Sequence, residues 1–316
     1  MAVISASAFS PATVGNVAVG FDLIGHCIAG IGDRVTAQAR PRQSTSPRAK
    51  VVAISGVVTD LPTATDANTA SRAVQGLLDA ARPDFDVHLS IDKGIPLGSG
   101  LGGSAASATA AVVAANALLN QPLAHTDLYP YAMRGEAIAS GANVGDNVGP
   151  QLMGGLVLAT STRLIPLPVP NGLTALVVHS NQTILTQATR SDLEAPFALS
   201  SITQQQAGLA QLLIGLYENQ TDLLAEGLTD CLIEPRRKHF IQGFDEAMEA
   251  AKGAGALGGS ISGAGPSVFA WFDDATKARR AAPDVVRAFE QYGLTTRHFI
   301  SPVDVPGASV IDQAMD

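Results

Sequence analysis

Apolar and polar residues alternate with a period of two in several short segments of the first half of the chain, a pattern that predicts strands. These segments are DRVTAQA (33–39), AKVVAISG (49–56) and DVHLSIDK (86–93), and VISASAFSPAT (3–13) predicts a strand that enters a loop. The polar segment RPRQSTSPR (40–48) is typical of a hairpin tip between the first two. The first half is therefore predicted to contain mainly antiparallel strands.

A period of 3.6 residues predicts an amphipathic helix in NTASRAVQGLLDAAR (68–82). Its apolar face would carry Ala73, Leu77, Leu78 and Ala81. A further helix is predicted over 127–139, and GGLVLAT (154–160) predicts the strand that ends this half.

The second half begins with a Pro-rich crossing at 164–173 and has a second Gly-rich turn at 255–265. Its predicted elements are a strand at 174–180, helices near 202–217, 220–232 and 237–252, a strand at 267–272, a helix at 275–293 and a last strand at 295–301. This order favours an α+β fold. We expect two domains, residues 1–165 and 166–316.

Composition narrows the class of protein. The chain of 316 residues is 46% hydrophobic and 15% charged, which is typical of a globular protein, and its net charge of −8 argues against nucleic acid or an anionic membrane as a partner. Cys27 and Cys231 form no paired motif, the start lacks a basic signal-peptide region, and the apolar run 105–119 is too short for a membrane span. We expect a cytoplasmic protein.

The segment GIPLGSGLGGSAAS (94–107) holds the most specific candidate chemistry. Gly98, Gly100 and Gly103 fit G-x-G-x-x-G, but no acidic residue follows until Asp127, so a dinucleotide site is disfavoured, and a Walker A lysine is absent. Glycines before a helix let backbone N–H groups approach an anion at the positive end of the helix. Phosphate binding and tight packing both explain the segment.

Four motifs, in order, resemble those of the GHMP kinases. PLGSGLGGSAAS (96–107) resembles the family's phosphate loop, P-x-x-x-G-L-G-S-S-A-A, and SPATVGNVAVGFDLIG (10–25) resembles its N-terminal motif. GDNVGPQLMGG (145–155) and SISGAGPSVFAW (260–271) resemble two later motifs. The motifs at 10–25 and 145–155 have the form found in the branch of the family that phosphorylates homoserine. The resemblance implies a ribosomal-protein-S5-like N-terminal domain, a ferredoxin-like C-terminal domain and an active site between them.

The resemblance implies ATP as co-substrate and Mg²⁺ as cofactor. Ser104 and Glu136 would bind the metal, and Asn68 would help to hold adenine, although Asn68 is equally well placed to cap a helix. Gly103 stands where relatives usually carry a serine. The remaining nucleotide contacts would come from the loop residues Pro96, Leu97, Gly98, Ser99, Gly100, Leu101, Gly102, Gly103, Ser104, Ala105 and Ala106.

On the substrate side, the resemblance implies an amino acid, L-homoserine. Asp22 could pair with its ammonium, and two arginines could bind its carboxylate through charge-assisted hydrogen bonds. The substrate residues implied are Asn16, Asp22, Thr186, Arg190 and Arg237. Within EPRRKHFIQGF (234–244) the family pattern selects Arg237 rather than Arg236.

For catalysis, the resemblance implies that Asn147 orients the substrate hydroxyl beside Asp22, with Asp146 as the reserve candidate for a base. Relatives often carry histidine where this chain has Val144. Two alternatives stay open: a GHMP kinase for another small alcohol, and a catalytically silent ligand sensor of the same fold. No membrane or nucleic-acid partner is expected, and a homodimer stays open.

Overall fold

A computed structural model describes residues 3–184, 193 and 195–315 of the protein. Its larger sheet has the strand order β11-β1-β2-β4-β3, and β5 extends it by pairing with β2 and with β6. The strands are β1 (Val3–Val14), β2 (Ile24–Pro41), β3 (Ala49–Gly56), β4 (Phe85–Lys93), β5 (Leu156–Ala159), β6 (Leu164–Leu167) and β11 (Ser309–Met315).

Helices of the first half share one core with this sheet. They are α1 (Thr69–Ala81), α2 (Gly103–Asn116), α3 (Tyr129–Ser140) and α4 (Val148–Met153), with 3-10 turns at Ala18–Gly20 and His125–Leu128. Every residue of α2 from Ala105 to Asn116 is buried, because α2 packs against β1 and β2 and also against α1 and α3. A helix enclosed in this way needs small side chains all round, which explains its run of alanines.

The predicted hairpin between β2 and β3 is wrong. β4 lies between these two strands, and β3 pairs with β4 in parallel, so β3, α1 and β4 form a crossover unit. The Asp86 carboxylate at the start of β4 accepts hydrogen bonds from the backbone N–H groups of Gln43 (3.1 Å) and Arg48 (2.8 Å). The polar loop therefore runs past the start of β4 and does not form a tight turn between β2 and β3.

The smaller sheet has the order β10-β7-β9-β8, and all of its strands are antiparallel to their neighbours. They are β7 (Thr174–Ser180), β8 (Gly258–Ile261), β9 (Val268–Phe272) and β10 (Thr296–Pro302). The helices of this half are α5 (Leu199–Glu218), α6 (Thr221–Gly227), α7 (Glu234–Arg237), α8 (Phe244–Gly253) and α9 (Ala275–Glu290), with a 3-10 turn at Lys238–Phe240.

The two faces of the smaller sheet belong to different cores. One face packs with α8 and α9 around Phe244, Phe272 and Phe289. The other face packs against the first half, where Trp271 shares a cluster with Ile24 and Leu212. The halves are thus joined by a continuous apolar layer, which fixes the position of the cleft between them.

Several predicted boundaries change in the structure. The Pro-rich crossing contains β6, the second Gly-rich turn contains β8, and the strand predicted as the last is followed by β11. The predicted helix 220–232 ends at Gly227, and the helix predicted over 237–252 is divided into α7, a 3-10 turn and α8. On α1, Ala73, Leu77 and Leu78 are fully buried, but Ala81 is exposed because the chain turns away at Arg82.

The α+β prediction is confirmed. We propose that the domains divide near residue 165. This boundary falls within β6, the last strand of the larger sheet before the chain enters the smaller one, and β11 returns to pair with β1 of the first domain. None of the described helices has the length and apolar character needed to cross a membrane.

Candidate active site

A cleft of about 750 Å³ opens between the two halves. Its walls come from five segments that are far apart in sequence: the turn after β1, the start of α1, the Gly-rich segment before α2, the end of α3 with the turn after it, and the region of α7 and residue 263. The predicted site residues Asn16, Asp22, Asn68, Glu136, Asp146, Asn147 and Arg237 all line it, together with Pro96–Gly100 and Gly102–Ser104.

The Gly-rich loop has a left-handed backbone at three glycines, and a side chain at Gly100 or Gly102 would also clash with neighbouring atoms. Gly98, Gly100 and Gly102 have φ angles of 65°, 74° and 67°, in the left-handed region that favours glycine. The third such residue is Gly102, which precedes α2, whereas Gly103 is the first residue of the helix. The loop therefore ends at a helix N-terminus, where free N–H groups and the helix dipole attract an anion.

The second half of the chain holds this loop by its carbonyl groups. Ser262 Oγ donates a hydrogen bond to the Gly100 carbonyl (2.7 Å), and Ser267 Oγ donates one to the Ser99 carbonyl (2.6 Å). Both serines are fully buried. The loop conformation thus depends on contacts between the halves.

Glu136 lies deep in the cleft near Ser104. Burial raises the pKa of Glu136 to about 7; the hydrogen bond from Ser104 and the charge of Lys93 oppose that rise, and the charge of Asp146 adds to it. Its Oε2 is buried and accepts no hydrogen bond from the described residues. An orphaned carboxylate oxygen beside a hydroxyl fits a hard divalent cation such as Mg²⁺.

The turn after β1 is held in a left-handed conformation at three residues, Asn16 and Asp22 with φ of 58° and Ala18 with φ of 43°. The Asn16 N–H donates to Asp146 Oδ2 (3.0 Å), and Asn16 Oδ1 accepts from the Asp22 N–H (2.8 Å). Asn16 Nδ2 donates to the Gly263 carbonyl (2.9 Å), which connects the turn to the second half.

Asp146 and Asn147 face this turn. Asn147 Nδ2 donates to Asp146 Oδ1 (3.2 Å), and Asn147 Oδ1 accepts from Thr13 Oγ1 (2.7 Å). The pKa of Asp146 is raised to about 7, first by burial and then by the negative charge of Asp22, although N–H donors such as that of Asn16 oppose the rise. Two neighbouring carboxylates make this part of the cleft favourable for a cation.

Arg237 is buried beside the same turn and also lines the cleft. Its Nη1 donates to the Gly263 carbonyl (3.4 Å), and its guanidinium carbon lies 5.0 Å from the centre of the Phe21 ring. Arg236 points elsewhere, donating to the carbonyls of Ala195 (2.6 Å) and Pro196 (2.8 Å). Of the two arginines, the one that the resemblance selects lines the cleft, and its role toward a substrate stays a prediction.

Three other predicted positions have different outcomes. Asn68 Oδ1 accepts from the N–H groups of Ala70 (3.0 Å) and Ser71 (3.2 Å), so the helix cap is present, and the contact with adenine stays a prediction. Thr186 and Arg190 lie outside the described residues. Val144 lines the cleft where relatives often carry histidine.

Known proteins match the chain over most of its length. Residues 68–155 match the family described as GHMP kinases N terminal domain, and residues 212–291 match GHMP kinases C terminal. Homoserine kinase of Xylella fastidiosa (strain M12) is 48% identical over 97% of this chain and 94% of its own length, and homoserine kinase of Xanthomonas campestris pv. campestris is 46% identical over the same shares. The chain belongs to the GHMP kinase family. The crystal structure of homoserine kinase from Cytophaga hutchinsonii superposes with a TM-score of 0.91, at 36% identity and 97% coverage of both chains.

The site of this GHMP kinase also contains a buried network that the sequence reasoning missed. Lys93 Nζ, in the cleft wall, contacts the Asp33 carboxylate and donates to the Gly103 carbonyl (2.7 Å) and to Ser107 Oγ (2.9 Å). The other carboxylate oxygen of Asp33 accepts from the N–H groups of Gly94 (3.0 Å) and Ile95 (3.1 Å). The network supports both the entry of the Gly-rich loop and the first turn of α2.

No sequence motif carries this network. Lys93 ends a strand and Asp33 lies within another, so each reads locally as an ordinary strand residue. Ser262 and Ser267 both lie in a quoted motif, but only their partners, more than 160 residues away, reveal that they hold the Gly-rich loop.

Proposed function

We propose that this GHMP kinase is a homoserine kinase, which transfers the γ-phosphoryl group of ATP to the hydroxyl of L-homoserine and produces O-phospho-L-homoserine for threonine synthesis. The names of the curated relatives and of the superposed crystal structure support this proposal. ATP is the co-substrate and Mg²⁺ the metal. Because the reaction draws on the cellular ATP pool, the cytoplasm is the location that we propose.

The observation that carries the proposal is the distribution of charge across one cleft. The cleft is lined by the Gly-rich loop, by Glu136 with its orphaned oxygen, and by Asp22, Asp146 and Arg237. An amino acid carries an ammonium for the two aspartates and a carboxylate for the arginine. Mevalonate and sugars do not offer that pair of charges.

Ser104 and Glu136 are the residues that would hold Mg²⁺. A bound Mg²⁺ neutralises phosphate charge and orients the phosphoryl group. Burial raises the pKa of Glu136, and the hydroxyl of Ser104 in the first turn of α2 brings a second oxygen to the same place. The free oxygen of Glu136 is available for this role without breaking a described hydrogen bond.

Positioning dominates the chemistry that we assign to the side chains. The backbone N–H groups of the loop would bind the phosphates, and Asn147 would orient the substrate hydroxyl toward them. Phosphoryl transfer has a loose transition state that demands little help from a base. The hydroxyl proton can therefore leave late, to the phosphate itself. Asp146, the neighbour of Asn147 in sequence, is the reserve candidate for a base.

The test is ADP release with a panel of acceptors: L-homoserine, serine, threonine, mevalonate, galactose and shikimate. We expect the highest kcat/KM with L-homoserine and O-phospho-L-homoserine as the product identified by phosphorus NMR. A higher value with another alcohol would support the alternative GHMP kinase, to which Val144 in the cleft wall lends weight. Nucleotide binding without ADP release from any acceptor would support the silent sensor.

A further inference from the structure

The turn that leads into α7 is organised around one buried carboxylate, Asp230. Its Oδ1 accepts hydrogen bonds from the N–H groups of Leu232 (2.9 Å) and Ile233 (3.0 Å), and its Oδ2 accepts from the N–H of Glu234 (3.0 Å). Three consecutive backbone groups therefore point at a single side chain. Asp230 fixes the direction in which the chain enters α7, because Glu234 is the first residue of that helix.

Gln205, on α5, holds Asp230 from the other side. Its Nε2 donates to Asp230 Oδ1 (2.9 Å), and its Oε1 accepts from the Cys231 N–H (3.0 Å). Both side chains are buried, with Gln205 and Asp230 no more than 9% exposed. A buried carboxylate is costly unless its acceptors are satisfied, so this arrangement has one well-defined geometry.

Arg237 is at the far end of the element that Asp230 begins. α7 is a single turn, Glu234–Arg237, so we expect the loss of the hydrogen bond from the Glu234 N–H to shift the side chain of Arg237. A small secondary cavity is lined by Asp230, Glu234 and Arg237 together with Asn16 and Phe21, which places the Asp230 carboxylate next to the substrate side of the cleft.

We propose that Asp230, held by Gln205, is a positioning residue that sets the place of Arg237 and thereby the affinity for the carboxylate of the substrate. This inference rests on the proposed function, because it assigns Arg237 to an amino-acid substrate. Asp230 touches neither substrate nor nucleotide in this account, and it acts only through α7.

Asp230→Asn is the decisive variant. The amide keeps the volume and the Oδ1 acceptor, but it presents an NH₂ donor to the N–H of Glu234, so the start of α7 loses its acceptor. We expect kcat/KM for L-homoserine to fall about 5- to 20-fold, as for the loss of one charge-assisted hydrogen bond. KM for ATP and kcat at saturating L-homoserine should stay within about twofold, since the phosphate loop is untouched.

Asp274→Asn is the matched control. Asp274 caps α9 by accepting from the Thr276 N–H (2.7 Å), so the substitution repeats the same chemistry at an exposed helix start outside the cleft. We expect its kcat/KM for L-homoserine to equal that of the unmodified protein.

A double-variant cycle separates positioning from general damage. In an Arg237→Ala background, measured in the range where rate is linear in L-homoserine, Asp230→Asn should cause no further fall, because the group it positions is gone. An equal fall in both backgrounds, or an unchanged kcat/KM in a folded Asp230→Asn protein, would overturn the inference. If Asp230→Asn does not fold, Gln205→Met removes the donor to Asp230 and should reproduce the fall and its dependence on Arg237.

Failure of the proposed function has a different signature. It would appear as an absence of ADP release from the unmodified protein with L-homoserine, which removes the basis for assigning Arg237 and with it this inference. Failure of the inference alone leaves the unmodified protein active on L-homoserine and the Asp230→Asn protein indistinguishable from it.

Discussion

Burial raises the pKa of both Glu136 and Asp146 to about 7, yet the two carboxylates have different surroundings. The oxygens of Asp146 accept hydrogen bonds from the Asn16 N–H and from Asn147 Nδ2, so they hold the turn after β1 in place. Glu136 keeps one buried oxygen without a donor among the described residues. This contrast is why we assign the metal to Glu136 and a structural task to Asp146.

Arg237→Ala should raise KM for L-homoserine by about one to two orders of magnitude and leave KM for ATP unchanged, because a buried charge-assisted contact is lost only on the substrate side. Steady-state kinetics with each substrate varied in turn measure both values. Arg236→Ala is the matched control, since its guanidinium contacts the carbonyls of Ala195 and Pro196 instead of the cleft. An unchanged KM for L-homoserine in Arg237→Ala would remove this arginine from the site.

Glu136→Gln should lower kcat by about 100-fold or more, because the amide cannot supply a charged oxygen to a divalent cation. Excess Mg²⁺ should restore activity only in part. The melting temperature should not fall, since the substitution removes a buried charge. Kinetics at several Mg²⁺ concentrations provide the measurement, with Glu249→Gln on the exposed side of α8 as control. Full activity of Glu136→Gln would contradict the assignment.

At the scale of elements, α1 is a helix that the sequence predicts correctly, but that prediction does not decide the function of its N-cap residue. Asn68 is the N-cap of α1, and its Nδ2 also donates to the Pro62 carbonyl (2.8 Å) at the cleft. The same amide therefore caps the helix and lines the cleft, where the contact with adenine stays a prediction.

Two substitutions of Asn68 separate these roles. Asn68→Ala should lower the free energy of unfolding by about 1 kcal/mol, and Asn68→Ser should recover most of that loss, because serine also caps helices. Urea unfolding measures the stability, and KM for ATP reports the contact with adenine. A rise in KM for ATP in both variants would support that contact, and a rise in neither would leave Asn68 as a cap alone.

The sequence was sufficient for elements that follow a local pattern, and insufficient where partners are distant. The periodic positions of α1 and the alternation in β4 predicted both elements to within a few residues. The parallel pairing of β3 with β4 was missed because the polar loop between β2 and β3 resembles a hairpin tip, whereas in the structure it binds Asp86 at the start of β4. The short strands β6 and β8 were missed because they contain the proline and glycine residues that usually mark turns.

The same distinction holds for the site. Motif resemblance places the Gly-rich loop, Glu136 and Arg237 by number, and the structure brings them to one cleft; their roles stay predictions. Lys93 and Asp33 were missed because their contacts are 60 residues apart in sequence and involve no recognisable spacing. Tertiary structure alone brings such residues together.

Across the whole molecule, the halves meet at a buried polar contact inside an apolar layer. Trp271 Nε1, on β9, donates to His26 Nε2 on β2 (3.2 Å), and His26 Nδ1 donates to the Cys27 carbonyl (2.8 Å). The first hydrogen bond requires the neutral imidazole, because Nε2 can accept only when it carries no proton, whereas Nδ1 can donate in either protonation state. Burial lowers the pKa of His26 from its ordinary value of 6.5 to about 4, although the bond to the Cys27 carbonyl opposes the shift.

Low pH should therefore destabilise the contact between the two halves of the chain. Since folding lowers the pKa of His26, the unfolded chain binds the proton more readily, and the stabilising contribution is complete above about pH 6.5 and lost as the pH falls toward 4. At pH 5 the loss should be about 2 kcal/mol. Urea unfolding of the unmodified protein and of His26→Gln at pH 7.5 and 5.0 tests this, because the stability difference between them should shrink by that amount. An equal difference at both pH values would exclude His26 as the source.

The pairing of β1 with β11 brings Val3 opposite Met315, so the first and last described strands lie side by side in antiparallel order. The backbone path is therefore almost a closed ring. A short peptide could join its two ends, and new ends could be opened in the polar loop 42–46 with the order of strands in the larger sheet unchanged. Such a circular permutant would keep the Gly-rich loop and Arg237 in the same cleft, although β3 would then be made first and β2 last.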